Sequence, residues 1–485
     1  MKRILLTHAY YPQLDPKQWA IGNPYAPLAT LYAAAVLKEQ GYDVSFFDTM
    51  FASGAREIIP TFNKVNPDIL FICDDGFNYL TKMCLTNMRE ETFKMIAMAK
   101  QRNCIVICSS SDATDHFEQY LDKGADFIII GEVEDTLVKL MNAINSGADL
   151  LQVDGIVYQQ SGSVIKTRKA AVIKELDTIP FPAWELIDME PYKRMWLKSS
   201  GYFSMNMATT RGCPFKCNWC AKPIYGNRYN SRSPQNVVAE LKFLKEKFAF
   251  DHIWFCDDIF GLKPGWVHEF ADELQKENLH IRFKIQARAD LLANKYEIAA
   301  LSRAGCEKVW MGAESGSQKI LDAMDKGTTV EQIKTATALM RQHGIKPCFF
   351  IQFGYPGETK QDIALTIQMI NQLLPDELGI SVSYPLPGTV FFENVKSQLQ
   401  NKSNWTDSDE LALMFRNTYQ PAFYKQLHRY VHTSHRKHIA YSNIRQLVMH
   451  PLKITTHRLK KAVSALYYIP ATFINKFKLN KLETA

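Results

Sequence analysis

Apolar and polar positions alternate along this chain in two long series. Between residues 3 and 146, short apolar runs (RILLT, YDVSFFD, DILFIC, CIVICS, ADFIIIG) are separated by stretches of helical period (PLATLYAAAVLKEQG, REIIPTFNKV, a long stretch through Lys100, ATDHFEQYLDKG, EDTLVKLMNAI). That rhythm predicts a doubly wound parallel sheet with helices on both faces, whose ligands sit at the carboxyl ends of the strands. The segment GIVYQQSGSVIKT, residues 155–167, reads as a β-hairpin turning at Gln-Ser-Gly-Ser, and ELDTIPFPAWELIDMEPY as a Pro-rich connector.

A second series opens near Ser204. Its strand candidates are SMNMATTR, HIWFCDD, IRFKIQAR, KVWMG, KPCFFIQFG and LGISVSYP, separated by helical segments such as PQNVVAELKFLKEKF, WVHEFADELQKEN and KQDIALTIQMINQLL. Six βα units predict an open, partial (βα)6 barrel of TIM type, with polar and Gly-rich residues after each strand at its mouth. The expected fold class is α/β. The expected domains are 1–146 (doubly wound, Rossmann-type), 147–195 (hairpin and linker), 196–390 (partial barrel) and 391–485 (helical, basic tail).

Composition adds two points. Hydrophobic residues make up 46% and charged ones 22% of the 485, an ordinary globular balance that excludes a disordered chain. The net charge of +7 is unevenly placed: from Lys425 onward the chain carries +11, with Glu483 its only acid, and the remainder carries −4. The N-terminal apolar run is too short for a signal-peptide core and no stretch is long enough to span a bilayer, so a cytoplasmic location is expected. The segment Leu459–Leu482 pairs aromatics with lysines in the manner of an interfacial helix, which makes peripheral membrane contact an expectation for the tail. His428, His432 and His435 share one helix face and read as a solvated basic surface, and His116 likewise as a surface residue.

The ten cysteines are scattered, as in a reduced protein, apart from one tight group. Arg211-Gly212-Cys213-Pro214-Phe215-Lys216-Cys217-Asn218-Trp219-Cys220 places three thiols on a short loop directly after a predicted strand. Three thiolates suit three corners of an iron–sulfur cube and leave one iron without a protein ligand. A closed zinc site wants four ligands, and no fourth Cys or His is close by. Cys73, Cys104, Cys108, Cys306 and Cys348 lie in or beside apolar strands and read as small hydrophobes; Cys256 ends a strand at the barrel mouth.

The array CxxxCxxC with Trp219 before the last cysteine resembles the signature of the radical S-adenosylmethionine (SAM) superfamily. The resemblance implies a [4Fe–4S] cluster on Cys213, Cys217 and Cys220, and reductive cleavage of SAM to a 5′-deoxyadenosyl radical. It extends through Phe255-Cys256-Asp257-Asp258-Ile259-Phe260, Gln286-Ala287-Arg288-Ala289-Asp290, Gly312-Ala313-Glu314-Ser315-Gly316-Ser317, Phe353-Gly354-Tyr355-Pro356-Gly357-Glu358-Thr359 and Pro385-Leu386-Pro387-Gly388-Thr389. These segments are similar to the family's later strand ends, and imply SAM contacts by Trp219, Asp257, Arg288, Glu314, Ser315 and Gly354.

The first series resembles the cobalamin-binding domain that precedes the radical SAM core in one subgroup, at Pro27–Leu31, Ser109–Thr114 and Gly131–Thr136. It implies cobalamin contacts by Ser109, Ser110, Asp112, Thr114, Gly131 and Glu132. Two departures stand out: Ser110-Ser111-Asp112 replaces the Gly-Gly-x-His stretch common in that subgroup, and no D-x-H-x-x-G cobalt-ligand motif is present.

The expected function is therefore a radical SAM enzyme that uses a [4Fe–4S] cluster, SAM and cobalamin as a C-methyltransferase on an unactivated carbon. Oxidative cyclisation of the magnesium-protoporphyrin monomethyl ester type, another SAM-only radical reaction, methylthio transfer and a non-catalytic Fe–S role remain as alternatives. The expected partners are a small-molecule substrate, for which a hydrophobic one would suit a membrane-facing tail, and an external one-electron reductant of flavodoxin or ferredoxin type. No nucleic acid is expected, and no catalytic side chain is assigned.

Overall fold

The computed structural model describes residues 2–220, 226–399, 404–449 and 455–483. The chain divides into two compact units: Met1–Phe215 with Ala221–Ile285 and Asn404–Glu410, and Lys216–Cys220 with Gln286–Ser403 and Leu411–Ala485.

The first unit contains a seven-stranded sheet built from β1 (Arg3–Thr7), β2 (Asp43–Phe47), β3 (Ile69–Cys73), β4 (Ile105–Ser109), β5 (Phe127–Ile129), β6 (Ile156–Gln160) and β7 (Ser163–Lys166), in the order β2-β1-β3-β4-β5-β6-β7. β1 to β5 are parallel, and β6 and β7 add antiparallel to the edge. The predicted hairpin forms with Ser161 and Gly162 at its turn, both at positive φ, and it extends the sheet. β3 is buried throughout, as expected of a parallel strand covered on both faces. Its core joins Ile4, Leu6, Ile69, Phe71 and Ile107 to Ala33, Ala34, Leu37, Leu137 and Leu140 of the helices Leu28–Glu39 and Val133–Ser146. The order 2-1-3-4-5 reverses direction between β1 and β3, and such a switch point opens a crevice at the carboxyl ends of the strands.

One expected helix, ATDHFEQYLDKG, is two short ones, Ser111–Asp115 and Phe117–Asp122. They break at His116, whose backbone (φ −126°, ψ 31°) leaves the helical region. Its imidazole is mostly buried and meets the Asn404 side-chain oxygen at 3.2 Å, which corrects the surface reading. The connector also contains a helix, Glu190–Ser200, that its prolines concealed.

The second sheet is six-stranded: β8 (Ser204–Met207), β11 (His252–Phe255), β12 (Phe283–Ala287), β13 (Cys306–Glu314), β14 (Lys346–Phe353) and β15 (Glu377–Val382), in the order β15-β14-β13-β12-β11-β8. The short β9 (Thr210–Arg211) and β10 (Asn230–Ser231) pair antiparallel beside it. The six strands follow chain order as a half barrel requires, and each paired register is parallel. The helices Pro234–Phe248, Trp266–Lys276, Lys295–Ala304, Val330–Gln342 and Lys360–Leu373 lie between successive strands. Capping boxes at Thr329/Gln332 and Thr359/Asp362 start the last two.

The tail is helical: Pro421–Met449, Thr456–Val463 and Ala465–Glu483. The expected solvated histidine face is corrected at His435, which is buried and bonds the Pro375 carbonyl at 2.7 Å. Burial lowers its pKa to about 4, so it is neutral.

Candidate functional site

In the second unit, the loop Lys216–Cys220 is held by Asn218. Its amide donates to Met324 O (3.1 Å), and its carbonyl accepts from Phe391 N (2.9 Å). Its side chain donates to Ala323 O (2.8 Å) and Asp325 (3.0 Å) and accepts from the Tyr355 hydroxyl (2.9 Å). The cysteines on either side, Cys217 and Cys220, remain half-buried and outside any disulfide. Rigid backbone with accessible thiols is the condition for a prearranged ligand loop.

Around Cys217 the unit gathers charge. Arg288, at the end of β12, places Nη1 3.9 Å from Cys217 Sγ, while its other nitrogens bond Asp290 (3.0 Å) and Lys326 O (2.9 Å). Buried Lys326 pairs with Glu314 at 2.8 Å and lies 5.7 Å from the centre of the Trp219 ring. Burial alone would lower the lysine's pKa, but the charges of Glu314 and Cys217 outweigh it, so the pKa is raised and the ammonium kept. Glu314 sits at φ 55°, an unusual backbone for a residue other than glycine, where the register of β13 against β14 shifts. The bulge and the left-handed residue together aim the carboxylate. The indole nitrogen of Trp219 is buried with no partner among the described residues, an unmet donor that marks a place for a bound group.

Ser315 and Gly354 are committed to the protein. The Ser315 hydroxyl bonds Thr366 (3.0 Å) and accepts from Ser317 N (3.1 Å). Gly354 N donates to Glu358 (2.6 Å), and its carbonyl accepts from Asn417 (2.5 Å). Burial pushes the Glu358 carboxyl up to about 8 despite that bond, so it is largely protonated at neutral pH.

The first unit holds the remaining expected residues. Cys213 follows Gly212, whose φ of 80° turns the chain out of β9, and it is buried. Asp257 is buried and accepts from Thr209 N (2.7 Å), Thr209 Oγ1 (2.6 Å) and Thr210 N (2.8 Å). Its carboxylate ties the end of β11 to the chain leading into the cysteine loop. Cys256 donates to Met207 O (3.3 Å) and is buried, as a strand-packing thiol would be.

The residues expected to meet cobalamin lie at the ends of β4 and β5 and are largely spoken for. Asp112 takes two bonds from Arg89 and one from the Tyr120 hydroxyl (2.7 Å). Ser109 donates to Ile129 O (3.2 Å), Thr114 to Ser110 O (2.8 Å), and Ser110 accepts from Ala113 N (2.8 Å). Gly131, at φ 96°, makes the turn after β5. Glu132 accepts from Ile173 N (2.5 Å) through one oxygen; the other is buried without a partner among the described residues, and burial raises the pKa to about 7. His8, after β1, is engaged by Asp48 (2.9 Å) and Thr49 (3.0 Å).

Sequence reasoning missed Asn218, Lys326, and Asp74 and Asp75 after β3. Lys326 lies in a loop after a helix rather than at a strand end, and its position carries no pattern. Asp74 and Asp75, each pushed up to about 6 by burial, stand at the switch point of the sheet and could have been found from the strand order alone. Among the described residues no three His, Cys, Asp or Glu side chains gather as for a single metal ion. A cube that takes one thiolate on each of three irons does not require them to converge on one point.

Residues 207–370 match the family model described as the radical SAM superfamily. The chain is 26% identical over 392 residues to an uncharacterised methyltransferase of Pyrococcus horikoshii, covering 79% of this chain and 82% of that protein. It is 27% identical over 415 residues to the anaerobic magnesium-protoporphyrin IX monomethyl ester cyclase of Rubrivivax gelatinosus, covering 82% and 71%. Its fold is similar to that of the radical SAM methyltransferase TsrM of Kitasatospora setae, solved with cobalamin and a [4Fe–4S] cluster bound: TM-score 0.68, 19% identity, 82% of this chain and 75% of that one.

Proposed function

We propose, for a chain that carries a radical SAM domain and is an enzyme of that superfamily, that Cys213, Cys217 and Cys220 hold a [4Fe–4S] cluster and that the reaction is cobalamin-dependent methylation of an unactivated carbon. The observation that carries this reading is the Asn218-anchored loop, with Cys217 beside the Arg288 guanidinium and the unmet Trp219 N–H close to Lys326. A cluster held by three thiolates would leave its fourth iron open to SAM and, once reduced by the external one-electron donor, would supply the electron for reductive cleavage.

The chain's own groups take defined parts in binding. Arg288, 3.9 Å from Cys217, and Lys326 attract a carboxylate. Glu314, held by Lys326, offers an acceptor for an ammonium or a ribose hydroxyl. Trp219 supplies a donor and an aromatic face. Gly354, at φ 77° with Leu413 and Tyr424 packed against it, shapes the turn after β14, and Ser315 fixes the turn beyond Glu314. Asp257 holds the strand end and keeps acceptor capacity for the amino group of SAM.

Cobalamin is assigned to the carboxyl edge of the first sheet. Support comes from the switch point between β1 and β3, the small residues Ser109, Ser110 and Gly131, and the unmet Glu132 oxygen. With His8 and His116 both engaged by neighbours, no lower axial histidine is assigned.

A radical SAM enzyme needs an electron donor and acts on a small molecule; here the substrate is proposed to be apolar, with the basic tail making peripheral contact with a membrane. Among the described residues no helix is long and apolar enough to cross one. The match to the Rubrivivax cyclase favours oxidative ring closure as the second reading.

Anaerobic reconstitution tests the proposal. The expected result is a [4Fe–4S] spectrum perturbed by SAM, with 5′-deoxyadenosine formed by the native chain and abolished in Cys217→Ala. Absence of the SAM-perturbed signal overturns the cluster assignment. Failure to bind cobalamin removes methyl transfer and leaves a SAM-only reaction.

A further inference from the structure

The helices Thr456–Val463 and Ala465–Glu483 run almost without interruption, since Ser464 N donates to Lys460 O (3.1 Å) and Tyr468 N to Ser464 O (3.0 Å). Leu459, Val463, Leu466, Pro470, Phe473 and Phe477 recur at alternating spacings of four and three, which places them on one stripe. An apolar stripe of this kind normally packs inward. Here it faces out: Leu466 is 80% exposed, Phe473 76% and Phe477 56%, with Tyr467 and Ile474 alongside.

The helix is packed through a different face. Ala465, Thr472 and Leu479, spaced by seven, are buried, and Asn475 accepts from Gln426 of the helix Pro421–Met449 at 3.0 Å. The exposed stripe is therefore not needed to dock the helix on its own unit, and it exceeds what scattered surface hydrophobics explain.

Charge decides the occupant. Residues 455–482 contain Arg458, Lys460, Lys461, Lys476, Lys478 and Lys481 and no acid, and Glu483 is paired with Lys360 at 2.8 Å. A second copy laid on this stripe would bring two sets of like charges together. An anionic lipid surface neutralises them while taking up the aromatic side chains.

We infer that residues 456–483 form an interfacial helix that seats on an anionic bilayer, with Leu466, Phe473 and Phe477 inserted and the lysines at the headgroups. This deepens the peripheral contact proposed above and rests on that reading, but it needs neither cluster nor SAM. Failure of the lipid test therefore leaves the radical chemistry standing, and failure of the chemistry leaves the lipid test intact.

The test is co-sedimentation of the full chain with vesicles of phosphatidylglycerol and phosphatidylcholine, and with phosphatidylcholine alone. Expected are binding to the mixed vesicles, its loss at high salt, and a drop of roughly tenfold or more in both Phe473→Glu/Phe477→Glu and Lys478→Glu/Lys481→Glu. Unchanged circular dichroism and iron content show that these surface variants fold. No binding to mixed vesicles, or equal binding to neutral ones, overturns the inference. So does a dimer, seen by sedimentation velocity without lipid, that the Phe473/Phe477 variant abolishes, because the stripe then belongs to a second copy.

Discussion

Replacing Lys326 with Met removes the cation from a buried pair and leaves the Glu314 carboxylate, whose side chain is 5% exposed, without its 2.8 Å partner. Breaking a buried ion pair from one side costs about 3–5 kcal/mol, because the remaining charge keeps its desolvation penalty. Neutralising both sides costs far less, so Glu314→Gln/Lys326→Met should recover most of the loss, with a coupling energy of about 2 kcal/mol or more. The assay is guanidinium unfolding of the cluster-free chain, with hydrogen exchange in β13 to assign the change to the second unit, since a chain of two units need not unfold in one step. A Lys326→Met variant within about 0.5 kcal/mol of the native chain would refute the reasoning, as would a double variant no more stable than the single. In the reconstituted enzyme the same substitution should weaken SAM binding even where the fold is restored, because it removes a cation the carboxylate of SAM would meet.

Glu358→Gln tests the buried carboxyl beside Gly354. A folded pKa of about 8 against an ordinary 4.5 means that the native state holds a proton the unfolded chain releases. Its contribution to stability should thus fall as pH rises from about 4.5 to 8, and thermal melts of the Gln variant should show a shallower slope, most clearly between pH 7 and 8; an unchanged slope removes Glu358 as a source. Asn218→Ala deletes three side-chain bonds from the cysteine loop. It should cost about 2–3 kcal/mol and lower the iron bound per chain after reconstitution, and full iron loading would show that the anchor is dispensable. Gly354→Ala should cost about 2–3 kcal/mol, because its φ of 77° is joined by Leu413 and Tyr424 atoms 3.2 Å from the new Cβ. Gly357→Ala, at φ 81° with nothing within 4 Å, should cost only about 1 kcal/mol; equal losses in urea unfolding would discount the steric account.

Strand periodicity carried most of the architecture. The apolar runs of the first series became β1 to β5, and all six strand candidates of the second series lie in one sheet in chain order. What periodicity could not supply was long-range pairing. His116 looked exposed on its own helix because Asn404, which bonds it, lies nearly three hundred positions onward. His435 looked solvated because the burying partner, the Pro375 carbonyl, is backbone and leaves no trace in residue type. Nor did its motif signal that the Asp257 oxygens accept from Thr209 and Thr210, nearly fifty positions earlier. Residue type says that an acid is present at a strand end; only the donors around it say whether it is free.

The Asn218 contacts have a bearing on how the enzyme is made. Among the described residues, Asn218 anchors the cysteine loop of the second unit to Met324, Ala323, Asp325, Tyr355 and Phe391. In small zinc domains the metal supplies the folding free energy, and the empty chain is unfolded. Here the proposed ligand loop has polypeptide anchors of its own, so its backbone is expected to hold without a cluster, which circular dichroism of the iron-free chain would check. Maturation can then be a late delivery to a folded protein, and oxidative loss of the cluster should leave an intact shell that can be refilled.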